Sequence, residues 1–355
     1  MREGPSVSVA CVIVTYNQGA EFGTVLQRIA ETRCAGDELV VVDNASVDGT
    51  AELAEAHDAP DRVIRTGTNL GFGAACNRGA AASSADTILF LNPDCLPEPD
   101  FMAEIRKGPA DWDAWMGLVT LDDGERVNTA GGVAHFTGLG WAGRFDEPLD
   151  AVPPSPHPVG FLSGACLAIR RPVFEAVGGF PEDFFLYGED VELSHRLRLA
   201  GHRFGLLPAA RVRHAYAFAK GDHKWELMER NRLLLIARTY PTPVLVLVAP
   251  ALVALEVVLL PYALLSGWGA AKLRALWGAF RLLPAATRAR AAIQGSAAAT
   301  DVEFALALAS RLDSPFLGAI GRSSAINGLL GAYWALVIAV LRRRQGQGFE
   351  TRNST

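Results

Sequence analysis

The apolar run Ile88-Leu89-Phe90-Leu91 is followed directly by Asn92-Pro93-Asp94. Four consecutive apolar residues fit a strand covered on both faces, as in parallel sheets. Asn92-Pro93 cannot continue a ladder, because proline has no N–H and asparagine favours turns. The run therefore delivers the Asp94 carboxylate to the C-terminal edge of a sheet, where open α/β sheets bind ligands. A carboxylate fixed there suits a divalent cation on a diphosphate. An Asx-turn that only closes the strand would use the same residues, so the rest of the chain must decide.

Other segments repeat the pattern. Val7–Thr15 reads as a buried strand, Tyr16-Asn17-Gln18-Gly19 as its turn and 21–32 as a helix. Glu38–Val42 is a second buried strand, ending at Asp43-Asn44-Ala45-Ser46 before another helix. Val63–Arg65 is a short third strand, and Asn69 to Gly79 a glycine-rich loop running into a helix. Strands alternating with helices predict a doubly wound, mainly parallel sheet. Shorter strands are expected over 117–135. Residues 138–158, with five prolines, read as a long loop, either a lid or acceptor gate beside a site or a plainly disordered segment. A strand or strand pair is expected over Val159–Ile169, and an amphipathic helix begins at Glu189-Asp190. Edge strands are expected at Phe204–Leu207 and Arg211–His214, then a basic helix over Trp225–Tyr240.

Charge divides the chain. Residues 1–195 carry 30 acidic and 12 basic side chains, a balance of −18; residues 196–355 carry 8 and 21, a balance of +13. An acidic front suits metal binding and base catalysis; a basic, apolar rear suits an anionic membrane surface. Five cysteines (Cys11, Cys34, Cys76, Cys95 and Cys166), without a paired CxxC spacing, fit reduced cytosolic thiols. The N-terminus shows no signal-peptide apolar region, so the catalytic part is expected in the cytoplasm. Val244–Leu265 carries one charge, Glu256, and is long enough to span a core of ~30 Å. Ala325–Leu341 is a second apolar run, ended by Arg342-Arg343-Arg344. Two spans would export residues 266–324 with seven Lys/Arg, against the positive-inside rule. A re-entrant or interfacial arrangement is therefore expected, with the basic helix 268–294 on the cytoplasmic leaflet. Core helices of a soluble helical domain are the competing reading. The expected domains are 1–240 (catalytic), 241–345 (helical, membrane-associated) and 346–355 (a disordered tail).

Six strand-end motifs occur in one order: Thr15-Tyr16-Asn17, Asp43-Asn44-Ala45-Ser46, the loop from Asn69 to Gly79, Asn92-Pro93-Asp94, Ser163-Gly164-Ala165 and Gly188-Glu189-Asp190. Over roughly residues 7–240 the chain resembles family-2 inverting glycosyltransferases of the GT-A fold. It is most similar to bacterial rhamnosyltransferases of cell-wall and polysaccharide assembly. The resemblance implies that Thr15, Tyr16, Asn17 and Asp43 hold the nucleoside, and that Asn69, Gly71, Asn77 and Arg78 approach the nucleotide and its phosphates. Gly71 and Gly73 would let the backbone come close. Asn92 and Asp94 occupy the family's DxD metal motif, here without its first carboxylate. His214 is the implied compensating ligand, for Mn²⁺ or Mg²⁺. Asp190 is the implied base, beside Glu189. Two adjacent carboxylates in a cleft raise the proton affinity of one, which helps a base, although a helix N-terminus opposes that shift. Phe185, Tyr187 and Gly188 would shape the acceptor side. Arg230 and Arg232 would hold the leaving diphosphate or form a basic face toward lipid.

The implied activity is metal-dependent, inverting transfer of L-rhamnose from dTDP-rhamnose to a prenyl-diphosphate-linked glycan. Its place is the cytoplasmic face of a bacterial plasma membrane, with no nucleic-acid partner. The alternatives are a galactofuranosyl- or other hexosyltransferase using a UDP-sugar, and a catalytically silent nucleotide-sugar-binding membrane subunit. A nucleotidyltransferase would need a glycine-rich, lysine-bearing loop after the first strand, and Tyr16-Asn17-Gln18-Gly19 is not one.

Overall fold

The computed structural model describes residues 7–214, 221–314 and 317–352, apart from 319, 320 and 322. The chain divides into two units. The first comprises residues 1–132, 142–193 and 202–219; the second comprises 133–141, 194–201 and 220–355.

The first unit is built on one mixed sheet. Its first half alternates β1 (Val9–Thr15), α1 (Phe22–Thr32), β2 (Glu38–Asp43), α2 (Thr50–Ala56), β3 (Arg62–Arg65), α3 (Phe72–Ala81) and β4 (Thr87–Leu91). Then come β5 (Cys95–Pro97), α4 (Phe101–Ile105), β6 (Ala114–Thr120) and β7 (Val127–Thr129). The small strands β8 (Gly132–Ala134) and β9 (Gly140–Ala142) pair with each other. The order continues through β10 (His157–Pro158), β11 (Cys166–Arg170), α5 (Arg171–Ala176), α6 (Glu189–Leu199) and β12 (Phe204–His214).

Sheet order is β10-β12-β6-β11-β4-β1-β2-β3, with β5 also on β12 and β7 on β6. β1, β2, β3 and β4 run parallel, and every residue of β1 and β4 is buried. Continuous apolar runs are thus explained by helices covering both faces. The other half departs from the expected parallel pattern. β11 is antiparallel to both β4 and β6, because it enters from the opposite edge. Only Cys166–Arg170 is a strand; Phe161 contributes a single bridge to Gly132. The two expected edge strands are one strand, β12, which pairs with β6 on one side and with β5 and β10 on the other. An irregularity between Leu207 and Arg211 bends it, where Pro208 cannot donate to the ladder. The proline-rich loop is pinned: the Val127 N–H donates to the Glu147 C=O and the Asp146 N–H to the Val127 C=O, each at 2.8 Å.

The second unit is helical: α7 (Gly221–Thr239), α8 (Thr242–Leu265), α9 (Gly269–Gly295), α10 (Asp301–Leu306) and α11 (Ser324–Arg352). A single cut at residue 240 does not separate the units. α7 groups with the C-terminal helices, since its most extensive packing is on α9. Residues 133–141 and 194–201 group there too. α11 continues to Arg352, past the boundary expected at residue 345; residues 353–355 of the expected tail lie outside the described residues.

Candidate active site at the edge of the sheet

Parallel register aligns Thr15 with Asp43 and Ile13 with Leu91, so β1, β2 and β4 end together. β11 runs the other way, which brings its preceding turn, Ser163-Gly164-Ala165, to the same edge. β5 pairs with the end of β12, Cys95 opposite His214. That register sets His214 Nε2 3.0 Å from Asp94 Oδ1, with His214 buried and Asp94 one-third exposed. The ligand atoms of Asp94, Cys95 and His214 lie within 4.8 Å of one another. Burial, reinforced by the Asp94 charge, pushes the Cys95 thiol well up, so it stays protonated and donates to the Ala165 C=O at 3.5 Å. The carboxylate and the imidazole remain as ligands. A mixed O,N pair converging on one point fits a Mn²⁺-like ion better than Mg²⁺.

A second acidic pair opens α6. Asp190 Oδ2 accepts the Gly164 N–H at 3.0 Å, and Oδ1 accepts the Val191 N–H at 2.8 Å. Burial raises its proton affinity, while those two N–H groups lower it. Glu189 is 6 % exposed, and its Oε2 has no hydrogen-bond partner among the described residues. Burial first, then the Asp190 charge, pushes the Glu189 carboxyl up to about 8. Burial and the adjacent Asp190 charge therefore favour the protonated form of Glu189 near neutrality.

The loop before α6 is strained: Phe185, Tyr187 and Gly188 have φ of 63°, 70° and 82°. Non-glycine residues at positive φ cost energy and cluster at functional sites. Two contacts hold this loop. The Phe72 N–H donates to the Phe185 C=O at 2.6 Å. The Asn77 amide accepts the Phe180 N–H at 2.8 Å and donates to the Phe180 C=O at 3.0 Å.

At the ends of β1 and β2, Thr15 Oγ1 and Asp43 Oδ1 are buried without hydrogen-bond partners among the described residues. The other Asp43 oxygen accepts the Ser46 N–H at 3.1 Å. Buried polar atoms are normally satisfied, so an open hydroxyl and an open carboxylate oxygen side by side mark a place for a polar ligand. The turns around them are tied together: the Asn17 N–H donates to Ser46 Oγ, and Asn17 Oδ1 accepts the Val47 N–H.

Known proteins resemble this chain in sequence and fold. The sequence pattern described as Glycosyl transferase family 2 matches residues 10–178. N-acetylglucosaminyl-diphospho-decaprenol L-rhamnosyltransferase of Mycobacterium tuberculosis is 32% identical over 238 residues, 59% of this chain and 76% of that one. The chain belongs to glycosyl transferase family 2. The O-antigen chain rhamnosyltransferase RfbN of Salmonella typhimurium is 26% identical over 227 residues, 60% of this chain and 68% of that one. Among solved structures, GalNAc-T7 with UDP, GalNAc and Mn²⁺ matches with TM-score 0.55 and 16% identity, over 68% of this chain and 49% of that chain. This last likeness speaks for the GT-A-like fold alone.

In this family-2 chain several expected site residues make framework contacts. A Cβ at Gly71 would lie 2.3 Å from the Phe185 carbonyl oxygen, so glycine is required by the loop packed on it. Gly73 faces Phe180 and Pro181 in the same way. Asn77 clasps that loop through Phe180. Asn69 accepts from Asn44 and from the Gly71 N–H, each at 2.9 Å, and fixes the turn into α3. The Asn92 N–H donates to the Ala165 C=O at 3.0 Å and holds β4 to the turn before β11. Tyr16 and Arg78 are exposed. Arg230 lies in the helical unit, its Nε donating to Asn231 Oδ1 and its stem over Gly278. Arg232 is buried there in ion pairs with Glu229 and Glu256, so it is not a free phosphate ligand. Sequence reading gave no role to the Gly164 N–H on Asp190 or to the Asn44 clamp; the motifs containing them were visible, but backbone donation needs the sheet topology.

Proposed function

We propose that this chain is an inverting, metal-dependent glycosyltransferase that moves L-rhamnose from dTDP-rhamnose to a prenyl-diphosphate-linked glycan, working at the cytoplasmic face of a bacterial plasma membrane. The observation that carries the reading is the Asp190 carboxyl, oriented by the Gly164 N–H at the same sheet edge as Asp94 and His214. Asp190 accepts the proton of the acceptor hydroxyl as that oxygen attacks the anomeric carbon. The new C–O bond forms as the bond to the nucleoside diphosphate breaks, on the opposite face, so the configuration inverts and no covalent enzyme intermediate arises. Glu189, holding its proton, keeps a second negative charge away from the base. Thr15 and Asp43 offer their open oxygens to the nucleoside, a hydroxyl to donate and a carboxylate to accept. Asp94 and His214 would hold the divalent cation, which when bound neutralises charge on the departing diphosphate. The relatives named for rhamnosyl transfer, one acting on a decaprenol-diphosphate-linked sugar, support the donor and acceptor class.

The test is a donor screen with purified protein and membranes as acceptor: dTDP-rhamnose, UDP-galactofuranose, UDP-glucose and GDP-mannose. Transfer from dTDP-rhamnose at least about tenfold above the others is expected, equivalent to ~1.4 kcal/mol in the transition state. Preference for a UDP-sugar would replace the donor assignment, and no turnover of any donor would favour a silent binding subunit.

A further inference from the structure

Among the described residues, two helices are long and apolar enough to cross a membrane, Thr242–Leu265 and Ser324–Gln347. The packing of the helical unit argues against crossing by α8. α9 lies along α7, and their contacts rise in step. Arg274 pairs with Glu226 at 2.5 Å, and Gly278 packs on Arg230. Further on, Arg290 donates to the Tyr240 C=O at 2.6 Å and Gln294 to the Thr239 C=O at 3.0 Å. The two helices are therefore parallel and packed on each other, and α8 returns antiparallel to them, packed on α9. Its far end is fixed at the start of α7, where Trp268 stacks on Trp225 with centroids 5.5 Å apart. α8 thus spans the same layer as α7, tied to it through the Trp268 stack at its far end and, near its middle, through Glu256 on Arg232.

α7 cannot enter hydrocarbon. It carries Lys224, Glu226, Glu229, Arg230, Arg232 and Arg238, and charges at membrane depth are costly even when paired. The only charge of α8, Glu256, lies near its middle and is bound into this layer. It contacts Arg232 of α7 and, at 2.6 Å, Lys272 of α9; both cations also contact Glu229. Lys272 is fully buried. Four charges that cancel pairwise form a clasp holding α8 level with two charged helices.

The outer faces differ. α8 exposes Val246, Val253, Val257 and Leu264, each more than half accessible; α9 exposes Trp277 and Phe280, and α11 Leu329 and Leu336. Beside Trp277 and Phe280 run Arg274, Arg281 and Arg288, all exposed and spaced by seven residues. α11 ends in the exposed Arg342, Arg343 and Arg344. Apolar stripes bordered by arginines fit the interface of an anionic leaflet.

We propose that the helical unit rests in one anionic leaflet through these stripes, and that α8 does not cross the bilayer. The glutamate–arginine–lysine clasp fixes α8 to its neighbours, and the turn at Ser266 stays on the cytosolic side. This deepens the membrane setting of the proposed function and rests on it.

The test uses the full-length chain. Mixed with sealed vesicles and floated, it is expected to bind phosphatidylglycerol at least about tenfold more tightly than phosphatidylcholine. Paired Trp277→Glu and Phe280→Glu changes should lower flotation at least about tenfold while leaving transfer to a water-soluble acceptor analogue unchanged. In cells, a Ser266→Cys variant in a Cys34→Ser background should react with a membrane-impermeant maleimide in inverted vesicles and not in spheroplasts. Labelling in spheroplasts would overturn the proposal, as would a chain that stays soluble with both vesicle types or stripe variants that still float. A soluble chain that still transfers sugar to the water-soluble analogue would remove the leaflet and keep the chemistry. A chain that floats as expected but transfers no sugar would do the reverse.

Discussion

The Gly164 N–H points at Asp190 Oδ2 from 3.0 Å, across 26 residues of sequence. This contact joins the turn entering β11 to the first turn of α6. It leaves the proposed base with a fixed orientation, and Glu189 beside it is the group held protonated.

The two carboxyls should therefore respond differently to amide substitution. Asp190→Asn is expected to lower turnover by about 10²–10⁴-fold with little change in donor affinity, since only proton acceptance is removed. Glu189→Gln imitates the neutral form already present and should keep turnover within about fivefold. Steady-state kinetics with separate donor-binding titrations check both. Equal losses in the two variants would mean that Asp190 is not the sole ionised base.

Gly71→Ala tests the framework role of the glycine-rich turn. At φ of 85°, with a Cβ 2.3 Å from the Phe185 carbonyl oxygen, the loop must move or strain. A loss of about 2 kcal/mol or more is expected, together with reduced transfer, because Phe185 to Gly188 lead directly into the acidic pair. Asn77→Ala should weaken the same loop from its other end. Thermal unfolding and acceptor KM are the measurements. An unchanged acceptor KM in both variants would separate this loop from acceptor binding.

Much of this was legible in the sequence because it is local. Continuous apolar runs ending in turn residues gave β1, β2 and β4, and with them Thr15, Asp43 and Asp94 at one edge. What was not legible depends on pairing between distant segments. β11 looks like any buried strand, yet its antiparallel entry is what brings Gly164 to Asp190. His214 was placed near a strand end by its position in sequence, but only the β5–β12 register sets it 3.0 Å from Asp94. Asn77 and Gly71 carry residue types that phosphate loops and tight packing share, so their framework role needed the partner, Phe180 or Phe185. Arg232 read as a free cation because Glu229 is three residues away but Glu256 and Lys272 lie on other helices.

The proposed function predicts dependence on a divalent cation that Asp94 and His214 hold weakly. Asp94 with one imidazole, and Asn92 where a second carboxylate would stand, makes a weak site. Excess chelator is expected to abolish transfer, with Mn²⁺ restoring it at lower concentration than Mg²⁺. His214→Ala should raise the Mn²⁺ needed for half-maximal activity by about tenfold or more, and Cys95→Ser should not, since the buried thiol stays protonated. Full activity in excess chelator would dismiss the site.

Acid should loosen the helical unit. His195 and His135 are buried there, and burial lowers them to about 3 and about 4 respectively, from an ordinary value near 6.5. In the unfolded chain both take up protons as the pH drops below about 6.5; in the folded chain they do not until far lower. Their contribution is thus fully present above 6.5 and is lost as pH falls toward the folded values. Each unit of pH costs about 1.4 kcal/mol per histidine, or roughly 2 kcal/mol each by pH 5. Glu189 works the other way: its raised proton affinity favours the folded chain at low pH and costs stability as pH rises above the ordinary carboxylate range. Two histidines outweigh one glutamate, so stability should fall between pH 7 and pH 5. His195→Gln, which keeps a partner for the Thr239 hydroxyl, should flatten that slope, and Glu189→Gln should steepen it. Denaturant midpoints for the three proteins at pH 7, 6 and 5 decide the matter, and a His195→Gln slope identical to the parent's would show that this imidazole is already charged in the folded chain.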